Sequence, residues 1–229
     1  MKRIIDRIIN PRDAKNKKPI AAHKRKLYNE ILKAFPTYYI TLISIVQVTA
    51  FTYLIVMIQQ KFFISTENSM KNITFLLLTL ATFLVLIEVW YEYMMGSVAM
   101  RWIPQLWDAI LPFFLGLAEL IMIFYLSDGN IPGWYFAMGL VCFSSFLALV
   151  NMYRGCYYHY NENEILLACL GNYPHFTLIW IFTAGIIFSA IGYFEQLNNL
   201  ESPIFALYSF LIISLFVARG HFYWERILS

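Results

Sequence analysis

Charge is what this chain has least of. Only 14% of its residues are Asp, Glu, Lys or Arg, against about 25% in an ordinary soluble domain. Hydrophobic residues make up 60%, and mean hydropathy is +0.59. A soluble core cannot use that much apolar surface, whereas helices facing lipid can. With 229 residues in all, no second soluble domain fits beside such helices. Cysteine is also scarce. Cys142, Cys156 and Cys169 form no CxxC pair, and their odd number and scatter exclude a disulfide framework or a thiol relay. The histidines are His23, His159, His175 and His221, far fewer than a membrane di-iron hydroxylase requires. GxxxxGK[ST], GxGxxG and GxSxG are all missing, so nucleotide use and serine hydrolysis have no support. No nucleophile–base pair is visible. No catalytic residue, cofactor, metal or nucleic-acid partner is therefore implied.

What is present is a set of long apolar runs behind a basic start. Residues 1–35 crowd Lys and Arg among Ile4, Ile5, Ile8 and Ile9, and the stripe recurs at Leu27, Ile31, Leu32 and Phe35. Basic amphipathic helices of this kind lie on anionic lipid head groups, which are the partner expected for this arm. No cleavable signal peptide is expected, because the polar stretch before the first apolar run is longer than a signal n-region.

Six apolar stretches follow, near 37–58, 73–95, 104–126, 133–153, 174–194 and 203–218. Their mean of about 20 residues matches a hydrocarbon core about 30 Å thick. The expected fold is all-α: a polytopic bundle of about six transmembrane helices over residues 36–229, behind the arm of residues 1–35. The arm, Arg101, Arg154, Arg219 and Arg226 fall on one side. The opposite loops carry Lys61, Lys71, Glu67, Asp128, Glu195 and Glu201. That asymmetry predicts cytoplasmic termini. Trp90, Tyr91, Tyr93, Trp102, Trp107, Tyr157, Tyr158, Tyr160, Tyr223 and Trp224 gather near the same boundary, as an interfacial belt would. Abundant Ile, Lys, Asn, Phe and Tyr fit an AT-rich genome and a bacterial inner membrane.

A threefold pattern runs through these stretches. Phe35-Pro36-Thr37, Ile103-Pro104-Gln105 and Tyr173-Pro174-His175 each stand where an odd helix is predicted to begin. Arg154-Gly155-Cys156-Tyr157-Tyr158 matches Arg219-Gly220-His221-Phe222-Tyr223, and Glu88-Val89-Trp90-Tyr91 takes the same place in the first hairpin. Glu88, Arg154 and Arg219 are thus about 65 residues apart, which suggests three hairpins derived from one unit. Membrane physics alone also puts proline at helix starts and charge with aromatics at cytoplasmic ends.

Four acids fall within predicted spans: Glu88 and Glu92 in the second, Asp108 and Glu119 in the third. Each costs about 2.5–3.5 kcal/mol on insertion scales, so each must face protein or water. Glu88 and Asp108 lie evenly about a predicted loop at 97–99, which would set both roughly 8 Å inside the boundary. Arg101, Arg154, Arg219, Asn151 and His221 fall near that level. The group reads either as a structural ion-pair network or as an ion or proton site at a cytoplasmic vestibule. Asp108 and Glu119 are eleven positions apart, pointing within about 20° of each other and roughly 16 Å apart along the axis. Pro112 between them frees the Asp108 carbonyl, so one helix face offers carboxylates and a free carbonyl. Glu119 has no evident basic partner and is the foremost candidate for a proton-linked or gating residue.

Two readings follow. One is an ion channel or proton-coupled transporter, its path between hairpins or along the axis of a homo-oligomer. The other is a non-catalytic membrane anchor or assembly subunit whose acids pair with charges on a membrane-protein partner.

Overall fold

A computed structural model describes residues 22–64, 69–101, 105–198 and 203–228. Within them the chain is a bundle of helices: α1 (Ala22–Ile64), α2 (Ser69–Ala99), α3 (Leu106–Asp128), α4 (Ile131–Tyr158), α5 (Tyr160–Leu170), α6 (Tyr173–Asn198) and α7 (Pro203–Leu228). All but α5 are long and apolar enough to cross a bilayer, giving six candidate spans. In hydrocarbon no water is available to backbone N–H and C=O groups, so the helix, which pairs them internally, is the form that apolar runs take. Hydroxyls inside these helices are satisfied in the same way. Thr41, Thr49, Thr52, Thr79, Thr82, Thr183, Ser189, Ser209 and Ser214 each donate to the carbonyl four residues back.

The first helix departs from expectation. It runs 43 residues without a break, roughly 65 Å, and carries Pro36 inside it. The end of the basic arm and the first span therefore share one helix. Pro36 marks no start there, whereas Pro174 does sit in the first turn of α6. Pro104 and residues 1–21 lie outside the described residues.

Local chemistry sets the α3–α4 hairpin. Gly129 at φ +76° closes α3, its N–H donating to the carbonyl of Leu126. A left-handed residue here turns the chain at once, and glycine adopts it without a Cβ clash. Asn130 then caps α4, its Oδ1 accepting from the Gly133 N–H at 2.9 Å. The connection 154–173, read as a loop, instead holds the short α5. Asn163, nearly inaccessible, accepts from the Arg101 N–H (2.7 Å) and donates to the carbonyls of Arg101 (2.6 Å), Cys156 and His159. One side chain thus fastens α5 to the chain that links α2 and α3.

Packing orders the bundle. α1 lies against α2 and α3, α3 against α4, α4 against α6, and α2 against α7. The α4–α6 seam is built from small residues. A Cβ at Gly139 would collide with Ser189, and one at Gly185 would stand 3.2 Å from Cys142. Small residues let membrane helices approach closely, which is how they gain contact without a hydrophobic drive between them. The three hairpins differ accordingly: α1–α2 and α3–α4 pack on themselves, whereas α6 leans on α4 and α7 on α2. Aromatic pairs join α6 and α7 at both ends, Tyr173 stacked on Tyr223 (centroids 3.5 Å) and Phe194 edge-on to Phe205 (6.0 Å).

Candidate functional site

The four intramembrane acids all point into the bundle. Glu119 is fully enclosed (0% exposed), Asp108 nearly so, and Glu88 and Glu92 lie below a tenth. They do not form one cluster.

Glu119 sits thirteen residues into α3, roughly 20 Å from its start and so near mid-span. Its partner is Gln47 of α1, whose Nε2 donates to both carboxylate oxygens at 3.0 and 2.9 Å. Gln47 escaped the sequence reading, because a single amide in an apolar run carries no signal until its neighbour is known. Gly116, one turn before Glu119, makes the pairing possible: Val46 occupies the space a Cβ would need. Without that gap α1 would stand off and the amide would not reach. Tyr93 of α2 is buried beside both Glu119 and Asp108, within electrostatic range of each. Its hydroxyl makes no hydrogen bond among the described residues. The shared face of α3 predicted for Asp108 and Glu119 is thus lined by Tyr93.

Asp108 has a local role. It is the third residue of α3, and its Oδ2 accepts from the Gln105 N–H at 2.6 Å in a capping box. Its Oδ1 accepts from Asn151 Nδ2 of α4 at 2.6 Å. The similar depth predicted for Asp108 and Glu88 is not what forms. α2 runs on through residues 94–99 instead of turning there, with Gly96 tucked against Met152. Glu88 therefore lies eleven residues from the end of its helix, roughly 16 Å deep, while Asp108 lies at the start of its own.

Glu88 and Glu92 face α7 instead. A Cβ on Gly220 would come within 2.6 Å of Glu88 Oε1 and 3.0 Å of Glu92 Oε1. Glu92 accepts from the Tyr173 hydroxyl (3.2 Å) and from Trp224 Nε1 (3.3 Å). Trp224 and Tyr93, read from sequence as belt aromatics, are core residues. Arg219 lies within electrostatic reach of Glu92 and stands over the rings of Tyr173 (5.3 Å) and Phe176 (5.7 Å). Glu88 Oε1 has no hydrogen-bond partner among the described residues.

The group of Glu88, Arg154 and Arg219 expected at one level of a cytoplasmic vestibule is not drawn together by ion pairs among the described residues. Arg154 is exposed, and among the described residues neither arginine forms an ion pair with Glu88. His221 points outward and approaches Glu225 at 4.0 Å, both side chains well exposed. Glu195, assigned from sequence to an outer loop, is enclosed within α6.

Fold and site together define a polytopic helical membrane protein with carboxylates sequestered between its spans. Comparison with protein-family models, with curated proteins and with solved structures finds no significant match.

Proposed function

We propose that the chain is a small ion channel or proton-coupled transporter of the bacterial inner membrane, its termini cytoplasmic, in which Glu119 is the residue that exchanges a proton or cation. The observation that supports this is the Glu119–Gln47 pair: a carboxyl at mid-span, fully enclosed, held by a neutral amide and, among the described residues, by no cation. Two apolar side chains would fill the same space at less cost, so stability alone does not favour such a pair. Tyr93, its hydroxyl without a hydrogen bond among the described residues, extends the polar track from Glu119 toward Asp108 and Asn151. A proton or cation entering at the α3 N-terminus would meet Asp108 first and Glu119 about three turns deeper. Movement of α3 against α1 at the Gly116–Val46 contact would then break or remake the amide bridge. The positive-inside asymmetry supports the orientation, and the six candidate spans among the described residues, being even in number, would return the chain to its starting side.

The test is flux in proteoliposomes. Glu119→Gln keeps the shape of the site and removes its proton, so transport or its pH dependence should change while expression holds. Unchanged flux in both Glu119→Gln and Asp108→Asn would reject the assignment. The subunit reading loses one support: acids that face inward are not offered to a partner's charges. A stoichiometric partner in the natively purified protein, found by mass measurement, would restore it.

A further inference from the structure

Because α6 leans on α4 and α7 on α2, a cleft stays between them, closed by aromatic pairs only at its two ends. A cavity with about 510 Å³ of empty space, its open mouth included, lies there between α2, α4, α6 and α7. Its wall is almost wholly apolar, with Met138, Val141, Phe188, Ile213 and Phe216 among the lining residues. Trp180 stands at the mouth, 45% exposed on the face that meets lipid. The cavity is thus reached sideways from the bilayer, and it holds less than a two-chain phospholipid.

One carboxyl enters this apolar wall. Glu88 is 6% exposed and lines the cavity, while its Oε1, closed in beside Gly220, has no donor among the described residues. Its neighbour Glu92 already takes bonds from Tyr173 and Trp224 and has Arg219 within reach. Arg219 acts on Glu92, so among the described residues Glu88 is the acid of the pair with no cation beside it. A ligand that completes the pair needs an apolar body for the wall and one N⁺–H donor for Glu88.

We propose that this cavity binds a lipophilic amine, a slim apolar chain bearing one protonated nitrogen, which enters from the membrane between α6 and α7 and donates to Glu88. The site is separate from Glu119 and is measured by binding, so flux results and binding results fail independently.

The probe is a dibromostearyl amine in nanodiscs of zwitterionic lipid, read as quenching of Trp180 fluorescence by difference from Trp180→Phe. The matching dibromostearyl alcohol and dibromostearic acid serve as controls. Saturable quenching by the amine is expected at concentrations about tenfold or more below those of either control. Glu88→Gln, close in shape, should erase that preference, and Ala184→Phe, which fills the cavity from α6, should abolish saturable quenching by all three. Equal quenching by amine and alcohol, preference for the acid, or an amine preference that survives Glu88→Gln would overturn the proposal. So would saturable quenching that persists in Ala184→Phe.

Discussion

At the residue scale, the enclosed polar groups divide by what holds them. Asp108 is held by its own helix start and by Asn151, a structural arrangement that a cap alone would justify. Glu119 depends on one side chain from another helix. Gln47→Leu should therefore leave a buried carboxyl with no donor and cost about 1–3 kcal/mol, measured as a lower unfolding midpoint in a fixed detergent. Glu119→Gln in the Gln47→Leu background should recover part of that loss, because an amide is less costly than a carboxylate in an apolar site. Asn163 behaves as a clamp. Asn163→Ala removes four hydrogen bonds at once, so amide exchange around Arg101 and along α5 should rise while the spans keep their protection. Glu88, Asp108 and Glu119 stood out in the sequence because charge in an apolar run is rare. Gln47, Tyr93 and Asn163 did not, because a neutral polar residue gains meaning only from what it touches.

At the element scale, hydropathy located the spans well, and their ends poorly. α2 and α1 both run past the apolar windows that announced them. Pro36 is accommodated inside α1, so the proline pattern that suggested matching helix starts marks different features in different helices. The seam of α4 and α6 is set by small residues. Gly139→Leu should push α6 away, lowering thermal stability by about 1–3 kcal/mol. The same change at Gly129, which has open space around it, would strain the turn through its left-handed backbone instead.

For the whole molecule, the six candidate spans among the described residues and the proposed cytoplasmic side of the arginines predict a topology that native cysteines can report. Cys142 and Cys156 are buried, and Cys169 is exposed at the end of α5. A membrane-impermeant maleimide should label a single cysteine per chain, in inside-out vesicles and not in intact right-side-out ones. Labelling of intact cells would reverse the proposed orientation. Labelling is lost in Cys169→Ser if the assignment of the reactive thiol is correct.

The residue order by itself determined that the chain is helical, that it spans a bilayer, and that Glu88, Glu92, Asp108 and Glu119, though not Glu195, had to be sheltered there. Those are consequences of transfer energies and of backbone hydrogen bonding, and both act on each segment separately. Which helix shelters which acid was decided only by the tertiary packing. Whether α1 comes near enough for Gln47 to reach Glu119, or α7 near enough for Gly220 to meet Glu88, depends on contacts between segments far apart in the chain. Helix–helix approach in lipid turns on the presence or absence of a single Cβ, a difference that no sum along the sequence contains.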